Sequence, residues 1–400
     1  MTGTRLIVWM CAAHVLSLAG IGTFPSLLPT FFEVWGLSNT EAGWISGIYF
    51  GGYAAAVPVL AGLTDRIDSR RVYLACALLT GASMIAFAAF ADGFWTALAF
   101  RALAGIGVAG TYMPGLKLLT DRVPQAHQSR LVAFYTSSFA IGSSLSIWMA
   151  GEIETLASWP LAFALAASGS LCAWLIVLAF VRPMAVAARE SAGAVLLDFR
   201  PVFRNRGAMA YVLAYGAHCW ELLGFRTWIV TFLAFSLTLQ EAGSWAWRAT
   251  AAAAAINLLG VPASILGNEL AVRFGRRRAA TCIMICAALA ASLIGLAAGL
   301  PYWAVVLLVS VYGVLVTADS AALTAGSIAF AAAGQKGATM AMHSFFGFLT
   351  SFLGPLAFGM VLDAAGGNAN IGAWWLAFAV MGAGVILGPL FLARLGREED

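Results

Sequence analysis

Long apolar runs are the feature that most limits what this chain can fold into. They recur through all 400 residues, and each is long enough to supply the roughly 20 residues of helix that cross a bilayer core. We place twelve of them, at 5–30, 41–63, 72–92, 94–119, 131–151, 160–181, 208–236, 247–268, 279–299, 302–328, 338–362 and 372–393. Because a backbone in lipid must satisfy its own hydrogen bonds, these runs predict an all-α integral membrane protein with twelve spans.

Composition excludes the common soluble classes. Hydrophobic residues make up 62% of the chain and charged residues 10%, against about 45–50% and 25% in soluble proteins. The net charge is only +4 with scattered bases, so nucleic acid is not an expected partner. The six cysteines lie in apolar runs without metal-ligand spacing, which predicts no metal and no cofactor. The sequence contains no phosphate-binding loop, so we do not expect ATP to bind. It also contains no nucleophile–base arrangement, so we expect no enzyme and no catalytic residues.

One polar stretch divides the chain. It lies at 182–207 and holds five arginines, so we predict an N-terminal six-helix bundle at 1–181, a cytoplasmic central loop at 182–207 and a C-terminal six-helix bundle at 208–400. If the N-terminus is inside, the inward loops carry most of the bases. The outward loops carry acids, namely Glu33, Glu41, Asp92, Glu152, Glu154, Glu241 and Asp363. This asymmetry predicts that both termini are cytoplasmic.

The two halves repeat a loop pattern. GLTDRIDSRR (62–71) follows the second run, and GNELAVRFGRRR (267–278) follows the eighth. The fourth run carries RALAGIGVAG (101–110). An internal repeat of this kind is typical of secondary transporters, whose substrate site lies between the halves near the middle of the bilayer.

These motifs resemble those of the major facilitator superfamily, and the resemblance covers essentially the whole chain. The family's loop pattern is Gly-x-Leu-(Ala/Ser)-Asp-Arg-x-Gly-Arg-Arg, and this chain departs from it at Ala61 and at Asp68-Ser69, where the family has glycines. The resemblance implies two pseudo-symmetric six-helix bundles around a cavity lined by spans 1, 4, 7 and 10. It also implies a gating motif, which here is Asp65, Arg66, Arg70 and Arg71.

Charged side chains inside the apolar runs are the main candidates for function, because such groups are costly in lipid and usually face a cavity. We predict that one set binds substrate: Arg226, Arg101, His14 and Trp220. A second set is predicted to couple transport to protons: Glu221, Asp319 and His218. His218 lies one turn before Glu221, so we expect these two to pair. The structural alternatives are that Arg101 ties helices through carbonyl groups and that Asp319 caps or bonds a neighbouring helix. For Glu221, the alternative is a buried structural pair with Arg226.

The predicted function is secondary active transport of a small organic solute by alternating access, coupled to protons, with Arg226 favouring an anion. An uncoupled facilitator or an exporter of amphipathic compounds would use the same fold, and the sequence leaves both open. The expected partners are the lipid bilayer and a small-molecule substrate, with no nucleic acid and no ATP. We expect a monomer in the inner (plasma) membrane of a bacterium.

Overall fold

The computed structural model describes residues 3–64, 66–123, 125–184, 199–240 and 248–395. All regular secondary structure in these ranges is helical, as predicted. Ten helical segments of the described part, three of them made of two successive helices, are long and apolar enough to cross a membrane, and each coincides with one of the predicted runs. The count of twelve spans and the cytoplasmic placement of the termini stay predictions.

The described helices follow one another with short connections. In chain order they are α1 (Gly3–Ser17), α2 (Thr23–Ser26), α3 (Leu28–Trp35), α4 (Asn39–Leu63), α5 (Ser69–Phe90), α6 (Phe94–Thr120), α7 (Gln125–Leu156), α8 (Trp159–Phe180), α9 (Arg200–Arg204), α10 (Arg206–Thr238), α11 (Ala249–Phe274), α12 (Arg276–Ile294), α13 (Tyr302–Ala318), α14 (Ser320–Ala329), α15 (Lys336–Ala364), α16 (Ile371–Val385) and α17 (Leu387–Leu395). A 3-10 helix at Gly295–Gly299 follows α12.

The helices group into two compact units. The first comprises Met1–Leu27 and Gly51–Asp198, and the second comprises Leu28–Phe50 and Phe199–Asp400. Helix α4 therefore begins in the second unit and ends in the first. The predicted division into bundles at 1–181 and 208–400 stays a prediction, and most of the predicted central loop, at 185–198, lies outside the described residues.

Within the first unit, α5 packs against α6 and α8, and α1 packs against α7 and α8. Small residues allow the backbones to approach closely. If Gly107 of α6 were replaced by alanine, the added methyl group would lie 2.8 Å from the carbonyl oxygen of Cys76 on α5. Close packing of this kind is a main source of helix association in lipid, because no hydrophobic effect drives helices together there.

Within the second unit, α10 is the central helix, packed by α14, α15, α16 and α17. Its C-terminal half carries an aromatic core in which Trp228 is fully buried and stacks on Phe358 with ring centroids 5.3 Å apart. The Trp228 indole N–H donates to the Pro355 carbonyl at 3.0 Å. Trp228 and Phe225 are thus buried inside the unit and do not face lipid.

The first predicted run is three helices, because the backbone turns at residues 18–22. A break inside a span leaves peptide groups without helical partners, and neighbouring polar side chains must satisfy them. The Ser146 hydroxyl donates to the Ala19 carbonyl at 2.6 Å and accepts from the Gly22 N–H at 3.0 Å. Arg101 donates to the Gly20 carbonyl at 3.3 Å. Side chains of α6 and α7 therefore stabilise the turn.

The tenth predicted run is broken as well. Helix α13 ends at Ala318 and α14 begins at Ser320, with Asp319 between them. Gly267 on α11 packs against this break, and a methyl group at that position would overlap the Ala318 carbonyl oxygen. The Asp319 backbone stays in the right-handed helical region, so the interruption is one residue long.

Candidate functional site

The first unit contains a buried histidine surrounded by neutral groups. His14 is 0% exposed, and its Nδ1 lies 2.7 Å from the Ser138 hydroxyl and 3.2 Å from the Tyr135 carbonyl oxygen. The imidazole stacks on Tyr135 and Tyr112, with ring centroids 4.3 and 5.1 Å apart. Its Nε2 is buried without a hydrogen-bond partner among the described residues. We name His14, Tyr112, Tyr135 and Ser138 the first-unit cluster.

Arg101 binds a backbone carbonyl group, as the structural alternative for this residue predicts. The side chain is 1% exposed and reaches the Gly20 carbonyl at the turn between α1 and α2. Its guanidinium also lies over the Phe24 ring, 5.8 Å from the centroid. These contacts favour a tie between α6 and the broken first run, and a role in substrate binding stays a prediction.

In the second unit, a histidine and two acids lie together. His218 on α10 is 1% exposed, and its Nδ1 lies 2.7 Å from Oδ1 of Asp319, which is 2% exposed at the break between α13 and α14. Glu221, one turn further along α10, is 1% exposed and accepts a hydrogen bond from the Tyr312 hydroxyl at 3.0 Å. We name His218, Asp319, Glu221 and Tyr312 the second-unit cluster.

The predicted pairing of His218 with Glu221 is not formed. His218 contacts Asp319 instead, and Glu221 contacts Tyr312. The physical reason is that residues three apart on a helix lie side by side but need not point at each other, whereas packed α13 and α14 offer partners directly opposite. Tyr312 precedes Asp319 by seven residues, which is two helical turns, so a shared face was readable in the sequence.

A second histidine extends this polar region. His343 on α15 is 3% exposed, with Nδ1 3.0 Å from the Ser327 hydroxyl and Nε2 3.3 Å from the Thr324 hydroxyl. Tyr215 stacks on His343 with ring centroids 3.7 Å apart and on His218 at 5.4 Å. Sequence reasoning did not choose His343, because this residue lies on the eleventh run, outside the spans 1, 4, 7 and 10 that the family resemblance places around the cavity.

Two further predicted substrate residues lie on α10. Arg226 is half-buried and makes no hydrogen bond or ion pair with any other described residue. Trp220 is half-buried, and its indole packs against Gly384 of α16, where a methyl group would overlap the ring. The Trp220 N–H is buried without a partner in the described part of the chain. Both side chains therefore keep hydrogen-bonding capacity that the described residues do not use.

The internal repeat places a histidine at the same register in each half. His14 and His218 are 204 positions apart, the same offset that separates Pro58 from Pro262. Their partners differ, since His14 meets a hydroxyl and a carbonyl while His218 meets a carboxylate. Among the partners that the described residues supply, a protonated His218 therefore faces an opposite charge, whereas a protonated His14 faces neutral groups.

The predicted gating motif is described in part. Asp65 lies outside the described residues, and Arg66 and Arg71 are exposed. Arg70 donates to the carbonyl oxygens of Val181 at 2.6 Å and Leu178 at 2.9 Å, so it binds the free end of α8. Unpaired carbonyls at a helix C-terminus favour such a cation.

Asp68, one of the positions where the loop departs from the family pattern, joins three segments. Its carboxylate accepts from the Arg70 N–H at 3.0 Å, the Met184 N–H at 2.9 Å and the Arg122 guanidinium at 2.9 Å. Partial burial raises the pKa of Asp68, but the bonds from Arg122 and from the two backbone N–H groups outweigh it and hold this pKa below its ordinary value. No partner for this acid could be predicted from the sequence, because Arg122 and Met184 follow far along the chain.

Comparison with known proteins decides the family. Residues 10–318 match the model described as the Major Facilitator Superfamily. The chain belongs to this superfamily. The resemblance seen in the loop motifs is thereby confirmed, and with it the assignment as an integral membrane protein of a transporter family.

Curated superfamily relatives match over part of their length. The niacin transporter NiaP of Acinetobacter baylyi is 26% identical over 156 residues, which cover 39% of this chain and 35% of the relative. The probable 4-methylmuconolactone transporter of Cupriavidus pinatubonensis is 27% identical over 148 residues, covering 36% of this chain and 33% of the relative. The match thus spans about a third of the length of these two curated relatives.

A solved structure shows the superfamily fold over nearly the whole chain. It is a bacterial homologue of the human lysosomal transporter Spinster, in an inward-facing and unoccupied conformation. It superposes with a TM-score of 0.74 at 14% identity, covering 98% of this chain and 95% of its own. At this identity the likeness establishes the all-helical fold alone.

Proposed function

We propose that this superfamily member is a secondary transporter that carries a small organic carboxylate across a bacterial inner membrane by alternating access, coupled to protons. The observation that carries the proposal is the second-unit cluster, in which two buried acids have different partners. Its membership of a transporter superfamily supports the transport activity, and bacterial relatives support the location.

Proton coupling needs a buried group whose protonation changes a contact. The His218–Asp319 contact is an ion pair only while the histidine is protonated and the aspartate is not, so gain or loss of one proton makes or breaks it. Glu221 has a neutral hydroxyl as its partner and no basic partner among the described residues. A buried carboxylate of that kind is costly to keep charged, which suits a group that binds a proton and later releases it.

The proposed substrate class rests on two side chains of α10 whose hydrogen-bonding groups are not used by the described residues. Arg226 presents a guanidinium that no described residue occupies, and a guanidinium binds a carboxylate through two parallel hydrogen bonds. The half-buried Trp220 adds an aromatic face on the same helix, together with an indole N–H that no described residue binds. Niacin, transported by one relative, is an aromatic carboxylic acid, which favours small ring-containing acids as the first compounds to test.

Uptake into proteoliposomes tests the coupling. Purified protein is reconstituted, an inward proton gradient is imposed, and accumulation of radiolabelled nicotinate and benzoate is followed with and without a protonophore. We expect accumulation above equilibrium that the protonophore abolishes. Glu221→Gln and Asp319→Asn should each abolish accumulation and retain exchange of substrate, because the amides keep the shape and lose the titration. Glu33→Gln, which changes an exposed acid on α3, is the matched control and should accumulate normally.

Binding measured by isothermal titration tests the substrate class. Arg226→Lys should weaken binding of the acid by about tenfold or more, because an ammonium cannot form the planar two-bond contact. Normal binding by Arg226→Lys would refute the carboxylate site. Equilibration without accumulation, unaffected by the protonophore, would instead support the uncoupled facilitator. Efflux of lipophilic cations with no binding of acids would support the exporter of amphipathic compounds.

A further inference from the structure

The start of α4 is bound by a carboxylate from a distant helix of the same unit. Asp363 lies near the end of α15, and Asn39 and Thr40 are the first residues of α4. Oδ1 of Asp363 accepts from the backbone N–H of Asn39 at 3.1 Å and from its side-chain amide at 2.8 Å. Oδ2 accepts from the backbone N–H of Thr40 at 2.7 Å and from its hydroxyl at 2.6 Å. One carboxylate thus receives four hydrogen bonds, two on each oxygen.

Helix α4 does not need Asp363 in order to begin where it does. Ser38 and Glu41 form a local capping box, in which the Ser38 N–H and hydroxyl both donate to Oε2 of Glu41 at 2.9 Å. The Ser38 hydroxyl in turn accepts from the Glu41 N–H at 3.2 Å. A capping box satisfies the first free N–H groups of a helix from within the same turn. The hydrogen bonds that Asp363 accepts therefore attach this end of α4 to α15, and they are not needed to cap the helix.

A seam of glycines continues the contact below the carboxylate. At Gly43, a methyl group would lie 2.6 Å from the Pro355 carbonyl oxygen. At Gly47 it would overlap the Phe352 carbonyl, and at Gly359 it would overlap the carbonyl of Asn39. The backbones of α4 and α15 therefore touch over about two turns, which only glycine permits.

The position of this contact in the chain suggests its purpose. Residues 28–50 belong to the second unit, but α4 continues without interruption into residues 51–63 of the first. The attached segment is thus the beginning of a helix that both units share. Asp363 is exposed, so water can replace its hydrogen bonds when the contact opens. A contact that closes with four directed bonds and opens into water is suited to reversible use.

We propose that Asp363 is a latch, which holds the first half of α4 against α15 in one conformation of the transport cycle and releases it in the other. The negative charge is well placed for this, because the N-terminus of a helix attracts a carboxylate through its free N–H groups and dipole. Its role in the cycle rests on the proposed transport function, whereas the attachment itself is independent of substrate and of protons.

Hydrogen–deuterium exchange of the full chain in lipid nanodiscs, without substrate, tests the latch. Asp363→Ala should speed exchange by about tenfold or more across residues 38–50 and 352–363, because loss of a multiply bonded carboxylate shifts the open–closed equilibrium by at least that factor. Asp363→Asn should give a smaller increase, since the amide keeps one acceptor oxygen. Thr40→Val, which removes only one donor, is a milder variant that should change exchange in the same direction even if Asp363→Ala does not fold.

Two controls separate opening of the seam from local fraying. Glu41→Gln weakens the capping box and should speed exchange only in the first turn of α4. Asp92→Ala removes an exposed acid that accepts a hydrogen bond from Thr96 in the first unit, and it should leave both segments of the seam unchanged. If Asp363→Ala affects only the first turn, as Glu41→Gln does, or has no effect, the latch is refuted. A chain that transports no acid but shows the expected exchange pattern would refute the proposed function, and with it the role in the transport cycle, while the attachment of α4 to α15 by Asp363 would stand.

Discussion

Replacement of Asp68 should destabilise the first unit, by an amount that its three contacts allow us to work out. The carboxylate caps α5 through the Arg70 N–H, and it also bonds the Arg122 guanidinium and the Met184 N–H. Loss of a helix cap costs about 1 kcal/mol. Loss of a hydrogen bond between charged groups costs about 2 kcal/mol when both are largely buried, and here the side chains of Arg122 and Asp68 are 11% and 8% exposed.

These values separate two substitutions at the same position. Asp68→Ala loses the cap, the ion pair and the hydrogen bond from the Met184 N–H, and the last is worth about 1 kcal/mol, so we expect a total loss of about 4 kcal/mol. Asp68→Asn keeps one acceptor oxygen that can cap α5, but it loses the charge and puts an NH2 group where the second oxygen accepts from the Met184 N–H, so we expect a loss of about 3 kcal/mol. The assay is thermal unfolding of the purified protein followed by intrinsic fluorescence, with the two variants and Arg122→Gln measured side by side.

The effect should depend on pH in a fixed direction. The pKa of Asp68 is held below its ordinary value in the folded protein. The contribution of this carboxylate is therefore complete above the pKa of an unfolded aspartate, about 3.9, and it is lost as pH falls through the lower folded value. The difference in stability between wild type and Asp68→Asn should be constant from pH 7 to about 5 and should shrink below about 4.

Three results would refute this reasoning. Asp68→Asn could unfold at the wild-type temperature at pH 7, or the difference could widen on acidification. In the double variant with Arg122→Gln, the two losses could also add fully, which would mean that Asp68 and Arg122 do not interact, whereas contacting charges normally show coupling of about 0.5–3 kcal/mol.

Further substitutions test the gate and the two helix breaks. Asp65→Asn should leave substrate affinity nearly unchanged in a binding titration while it slows uptake, since the family resemblance assigns this position to gating. Ser146→Ala should lower the unfolding temperature by the equivalent of about 2 kcal/mol, because the Gly22 N–H and the Ala19 carbonyl lose their partner. Gly267→Ala should cost about 1–3 kcal/mol in the same assay, since its methyl group would overlap the break at Asp319, and Gly299→Ala, which has open space around it, should be nearly neutral.

The sequence by itself determined the fold class and the family. Hydropathy is a local property, so twenty apolar residues indicate a span whatever they pack against, and ten of the predicted runs coincide with helices able to cross a membrane. The loop motif is also local, and it pointed to the superfamily whose model matches residues 10–318. The choice of buried charges followed from the same logic, because a charge in an apolar run is informative without knowledge of its partner.

Only the tertiary structure decided which groups meet. Glu221 and Tyr312 are 91 positions apart, and no property of either span predicts how the two helices are rotated toward each other. The same is true of Arg101 at the Gly20 carbonyl and of Asp363 at the start of α4, 81 and 324 positions away. Rotation of a helix about its axis by the angle of one residue changes every such pairing, but it leaves the hydropathy of the span unaltered. Side-chain partners in a membrane bundle are therefore set by packing, and packing depends on all the helices at once.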